Sequence, residues 1–144
     1  MIALDTNILV KAHRRDADGH AAAARVVREL AEGVDPWLIP VPCLHEFLAV
    51  VTHPRIFDPP SRAEQALDQV QAWMESPTLS IASESPRHWA TIASVIRESG
   101  LVGASIHDAR VAAICIDHGV RTLLTADRDF TKVKGLRVQD PLRG

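Results

Sequence analysis

Short apolar runs alternate with stretches of helical periodicity along the whole chain, and this alternation constrains the fold more than any other feature. IALD (2–5), WLIPV (37–41), LSIA (79–82), TLLT (122–125) and LRV (136–138) are each too short for a helix, and are apolar enough for strands buried on both faces. Between them the spacing predicts helices: Ile8 to His13, Asp18 to Glu32 ended by Gly33, Pro42 to Val51, a helix opened by Ser61-Arg62-Ala63-Glu64 and running to Glu75, Pro86 to Gly100, and Ser105 to His118. The stretch HPRIFDPPS (53–61), with three prolines, reads as a loop, and ADRDF (126–130) as a turn. Strands that alternate with helices demand crossover connections, hence a parallel sheet covered on both faces. The expectation is an α/β fold with four to five strands, forming a single domain over residues 1–144.

The helices should present defined apolar faces to that sheet. Ala23, Val26, Val27 and Leu30 share one face; Ala63, Leu67, Val70 and Met74 another; Trp89, Ile92, Ala93 and Ile96 a third. The helix from Ser105 is apolar almost all round between Val111 and Ile116, which predicts a central position. Trp37, Trp73 and Trp89 are assigned to packing, with the helix bearing Trp73 also a candidate surface for a partner. A chain of 144 residues, 47% of them apolar, has the material for a sizeable core. Cys43 and Cys115 have no CxxC partner and sit in apolar helical stretches, so they read as core residues of a cytosolic protein. No run is long and apolar enough for a membrane span, and the N-terminus enters a strand without the pattern of a signal peptide. A net charge of −2 excludes a globally basic nucleic-acid coat, but leaves room for local contact through a metal ion.

Open parallel sheets place their sites beyond the carboxyl ends of the strands, and the acids collect there. Asp5 ends the first strand; Asp127 and Asp129 follow TLLT; Glu46 lies early in the helix after the second strand; Asp108 lies in the first turn of the helix from Ser105. Each has an ordinary structural explanation. Asp5, Thr6 or Asn7 can cap the first helix, Asp108 can close a capping box with Ser105, Glu46 and Asp108 suit a helix N-terminus, Asp127 can make an Asx turn and Asp129 a cap. Those explanations do not account for acids from four separate segments meeting at one edge. Two carboxylates 4 Å apart repel by about 4 kcal/mol at an effective dielectric near 20, so the group must bind protons or hold a cation. Oxygen ligands without His or Cys companions point to a hard ion, Mg²⁺ or Mn²⁺, and to metal-activated water attacking a phosphodiester.

LDTNILV (4–10), LHEFLAVV (44–51), IHDARVAAI (106–114) and LLTADRDF (123–130) together resemble the PIN-domain nucleases, and within them the VapC-type toxins of toxin–antitoxin pairs. The similarity covers essentially the whole chain, with the motifs in family order. It implies an α/β/α sandwich and a cytoplasmic, Mg²⁺-dependent endoribonuclease that cuts RNA and so silences translation. It also implies a cognate VapB-type antitoxin and a homodimer. Carried over, the metal-binding and catalytic acids are Asp5, Glu46, Asp108 and Asp127, with Asp129 as an outer or second-metal ligand that competes with Asp127 for the role. Asn7 braces the first acid, and Thr125 supports the site.

Lys11, Arg14, Arg15 and Arg110 are possible RNA contacts, though a solvated basic turn explains the first three at least as well; Arg110, Arg128 and Lys132 share that ambiguity. His107, about 100° from Asp108 on a helix, reads as a surface residue. His45-Glu46 is no zinc-protease motif, because position 49 is Ala. Three Trp and three Phe, mostly core, leave no evident stacking platform. Two other functions compete. One is a PIN-like binding module without catalysis. The other is a haloacid-dehalogenase-like phosphatase, disfavoured because Asn7 and Leu9 stand where its second Asp and its Thr belong.

Overall fold

A computed structural model describes residues 1–143. The five apolar runs pair into one all-parallel sheet of β1 (Ile2–Leu4), β2 (Trp37–Pro40), β3 (Leu79–Ala82), β4 (Thr122–Leu124) and β5 (Arg137–Gln139), in the spatial order β3-β2-β1-β4-β5. The connections carry α1 (Thr6–His13), α2 (His20–Glu32), α3 (Val41–Val51), α4 (Ala63–Met74), α5 (His88–Ser99) and α6 (Ile106–Asp117). From β1 to β3 the chain moves outward through α1–α4. It then returns through α5 and α6 to β4, on the other side of β1. Because parallel crossovers are right-handed, this reversal puts α1–α4 on one face and α5–α6 on the other. Helix contacts agree: α1 packs on α2 and α3, α3 on α4, and α5 on α6. The result is an α/β/α arrangement whose topological switch point lies between β1 and β4, beyond Leu4 and Leu124, which are register partners.

The core sits where the sequence is most uniformly apolar. Every residue of β2 is buried, and α6 buries Ala109 and the run Val111–Cys115 as a central helix should. Phe47 of α3 joins three helices, with its ring 5.3 Å from His13 and 4.9 Å from Trp73. Trp37 is buried and donates its indole N–H to Ser76 Oγ at 3.1 Å, so its one polar atom is satisfied. Cys43 and Cys115 are free and buried. No helix among the described residues is long and apolar enough to cross a membrane.

Several local expectations change. α1 begins at Thr6 rather than Ile8, because Asp5 caps it; α2 begins at His20 rather than Asp18, after Gly19 in a left-handed conformation. Arg62, not Ser61, precedes α4, and its N–H donates to Gln65 Oε1 at 2.9 Å, so the closing acceptor is Gln65 and not Glu64. The apolar face of α4 that meets the core is Ala66, Val70 and Trp73, leaving Leu67 and Met74 about half exposed. In α5 the buried ridge is Ile92 and Val95, which turns Trp89 outward to 81% exposure. Both helices offer more than one apolar stripe, and contact with their neighbours decides which is covered.

Candidate metal centre

Asp5 is the first residue past β1, and the sheet continues through its backbone: its N–H donates to Leu124 O at 3.1 Å. Its side chain is only 7% exposed and accepts on both oxygens. Oδ1 takes the Thr6 N–H at 2.8 Å, which caps α1, and the Cys43 thiol at 3.5 Å. Oδ2 takes the Thr125 hydroxyl at 2.8 Å and Asn7 Nδ2 at 3.1 Å. The cap and the acidic site are therefore the same carboxylate. Burial raises its pKa above the ordinary carboxylate value, the Thr125, Thr6 and Cys43 donors oppose that rise, and the nearby charge of Glu46 adds to it.

Thr125 carries the link between β1 and β4. Its hydroxyl donates to Asp5 and accepts from Asn7 Nδ2 and from the Asp127 N–H, both at 3.0 Å, while Asn7 Oδ1 accepts the Ala126 N–H at 3.1 Å. Asp127 Oδ1 in turn accepts the Asp129 N–H at 2.9 Å and caps the short 3-10 turn Arg128–Lys132. That bond is the Asx-type role open to Asp127 from sequence, and it aims the rest of the carboxylate at the switch point. Ser105 makes no side-chain cap bond to α6; its hydroxyl bonds Val102 instead. Asp108 is thus half-buried without the capping box that would have explained it.

The acids from these segments converge. Asp108, Asp127 and Asp129 each offer an oxygen within 4.8 Å of the others. At Asp108, burial, then the charges of Asp127, Asp5, Asp129 and Glu46, push the pKa up to about 7. Glu46, exposed on α3, is held by the Thr6 hydroxyl at 3.2 Å from Oε2. Among the described residues, the ion pair that touches the cluster is Lys132 Nζ to Asp129 Oδ1 at 3.8 Å, between two half-exposed side chains, and it neutralises little. An oxygen-only set with unbalanced negative charge fits a hard divalent cation. Asp5, Glu46, Asp108 and Asp127 line one cleft of about 440 Å³, within the usual size of a ligand site, roughly 300–1,000 Å³.

The cations are placed unequally. Lys11 lines the cleft, with Nζ on Asp18 O at 2.8 Å. Arg14 lies in a neighbouring pocket with Arg15. Its guanidinium bonds Asp16 at 2.7 and 2.9 Å, Ser61 Oγ at 3.2 Å and Pro59 O at 2.9 Å, and stacks 4.3 Å from the Phe57 ring. Arg14 thereby pins the 53–61 loop. Arg110 pairs with Glu84 at 2.8 Å. Two participants carry only structural readings in the sequence, Thr6 as a possible helix cap and Cys43 as a core residue. Cys43 lies three residues before Glu46 on α3, so its place on a face near the acid was available from helical spacing; nothing local marked the Thr6 hydroxyl as a partner of Glu46.

The sequence matches the PIN domain over residues 2–136. The chain belongs to the PIN-domain family. Over all of its length this PIN domain is 33% identical to VapC ribonuclease Mb2897 of Mycobacterium bovis, covering 97% of that protein. Among solved PIN-fold structures it is similar to Mycobacterium tuberculosis VapC20, described as a sarcin-ricin loop cleaving toxin, with a TM-score of 0.70 at 14% identity over 97% of this chain and 100% of that one. It is also similar to VapBC2 of Rickettsia felis, solved bound to a promoter DNA fragment, with a TM-score of 0.68 at 21% identity over 96% of this chain and 98% of that one. The five-stranded parallel sheet agrees with the fold that alternating strands and helices predict, and the PIN match agrees with the resemblance carried by the four acidic motifs.

Proposed function

We propose that this PIN domain is a divalent-metal-dependent endoribonuclease, the toxin half of a VapBC-type pair. Carboxylates from four chain segments meet at the β1/β4 switch point with too little positive charge to balance them, and this observation carries the reading. Asp5, Asp108 and Asp127 would hold Mg²⁺, with Mn²⁺ able to replace it. Asp129 offers an oxygen within 4.8 Å of those of Asp108 and Asp127 and is placed to join those two, and Glu46 lines the same cleft as Asp5. The ion supplies positive charge that activates water and stabilises the phosphodiester as it is attacked.

The chain's own contribution is placement. Asp5 is locked by four donors and so presents a fixed carboxylate; Asn7 from the first turn of α1 and Thr125 from just past β4 hold that lock; Thr6 holds Glu46 over the cleft. Asp108, whose pKa is pushed up to about 7 by burial and neighbouring charges, would give up that proton to a bound cation. Lys11, at the cleft wall, is suited to an RNA phosphate, and Arg15 lies one pocket away. The resemblance of this chain to VapC ribonucleases supports RNA as substrate and arrest of translation as the consequence. Similarity to VapBC assemblies supports a VapB-type antitoxin as partner; a cytoplasmic homodimer is what the family resemblance implies.

The test uses the purified protein and single-stranded RNA. Cleavage should need Mg²⁺ or Mn²⁺, stop with a chelator, and fall by about 10³-fold or more in Asp5→Ala, as expected when a group that organises the transition state is lost. Metal-independent cleavage, or full activity in that variant, would refute the reading.

A further inference from the structure

A second groove opens on the far side of the same acids, between α3 and α6. α3 supplies a ridge at i, i+3, i+4, i+7 spacing, Pro42, His45, Glu46 and Ala49; facing it are Ala104, in the 3-10 turn Gly103–Ser105 that leads into α6, and His107, Asp108 and Val111 of α6. The ridges match in pattern, with a His–acid pair at the centre of each and small apolar residues at the ends. The groove measures about 580 Å³ and shares Asp5, Glu46 and Asp108 with the first cleft. The two depressions therefore meet at the carboxylates.

The donors are gathered on this side. His45 and His107 are exposed, and among the described residues neither imidazole ring makes a hydrogen bond. Arg110 also lines the groove. Its Nε and Nη2 both lie on the single oxygen Glu84 Oε1, at 2.9 and 2.8 Å, which orients the guanidinium and leaves Nη1 unengaged. An exposed pair of this kind contributes little, so a phosphate can share or replace Glu84. Guanidinium and imidazole planes over a small-residue floor suit a base and phosphate of single-stranded nucleic acid.

We infer that the α3–α6 groove seats the nucleotide flanking the scissile phosphate, with Arg110 on its phosphate and the His45 and His107 rings against its base and ribose. The strand would then cross the acids from the Lys11 side to this side. This subsite rests on the ribonuclease reading and deepens it, by giving the substrate a path and His45 and His107 a role.

The experiment measures binding apart from chemistry. A fluorescein-labelled, mixed-sequence 12-nucleotide RNA is titrated by anisotropy with protein carrying Asp5→Asn, in Mg²⁺. In that background His45→Ala, His107→Ala and Arg110→Ala should each weaken binding by about three- to tenfold, and the triple variant by about 30-fold or more. Lys134→Ala, which removes a cation from a separate pocket against α5 and the C-terminal end of α6, should leave it unchanged. In otherwise native protein the same three variants should raise KM for the RNA, while Mn²⁺ affinity, read by calorimetry, stays at the parent value. Parent-like RNA binding in the triple variant, alongside metal-dependent cleavage by the native protein, overturns the groove assignment and leaves the nuclease reading standing. If the native protein neither binds nor cuts RNA, both fall.

Discussion

Asp5 accepts four hydrogen bonds while sitting almost out of water, beside other acids. Such a carboxylate stays ionised only if its donors hold, and the Thr125 hydroxyl is the strongest of those opposing the effect of burial. That hydroxyl also accepts from Asn7 and from the Asp127 backbone, so one oxygen ties β1, α1 and the 126–132 turn together. Thr125→Val keeps the shape and deletes the oxygen. The expected cost is about 1–3 kcal/mol, from unsatisfied buried partners, read as a lower urea midpoint. Thr125→Ser should recover most of it. Metal affinity should follow the same order, because Asp5 and Asp127 both lose their brace. A Val variant as stable as the parent would show that the hydroxyl organises nothing.

Apolar side chains on α4 and α5 divide by which stripe meets a neighbour, and the energetic contrast should be large. Trp73 is 6% exposed and packs on Phe47, whereas Trp89 is 81% exposed. Trp73→Ala should cost about 3–5 kcal/mol, and Trp89→Ala under about 0.5 kcal/mol, measured by chemical denaturation. Comparable losses for the two would contradict the observed orientation of α5. At the end of that helix, Gly100 sits at φ +72 with open space where a methyl group would point, so Gly100→Ala should cost about 1 kcal/mol from backbone conformation alone. These helices also mark the limit of what periodicity conveys. It located both to within a few residues, since each has a repeating apolar pattern bounded by Pro, Ser or Gly. It did not choose between stripes one residue apart, because that choice depends on Phe47 for α4 and on the packing of α6 for α5. Arg14 is similar: a basic residue near the strand edge reads as an RNA contact, and only the folded 53–61 loop supplies the Ser61, Pro59 and Phe57 partners that engage it alongside Asp16.

For the whole molecule, the acids were legible because sheet topology converts sequence order into position: residues just past parallel strands reach one edge wherever the strands lie. What topology could not supply was the balance of charge there, which depends on how deeply Asp108 is buried and on its distance to Asp127 and Asp129. That balance has a thermodynamic signature. Asp108 has a pKa of about 7 in the fold against 3.8 for the free side chain, so between those values the folded protein holds a proton that the unfolded chain has released. Unfolding is then favoured by raising the pH. Metal-free protein should lose stability as pH rises from about 4 through about 7, and Asp5, also raised, acts in the same direction. Asp16 and Asp117, both lowered, lose their contributions below the ordinary carboxylate range and leave this window alone. A saturating divalent ion should reverse the trend, because it binds the ionised cluster and its affinity grows as protons leave. Asp108→Asn should flatten the metal-free profile, raise Tm at pH 8, and remove most of the gain that Mg²⁺ or Mn²⁺ gives the parent. Thermal melts at pH 5 to 8, with and without Mn²⁺, decide it. A metal-free Tm that climbs with pH in the parent would mean that the carboxylates do not repel one another in solution, and the case for a cation at the switch point would lose its physical basis.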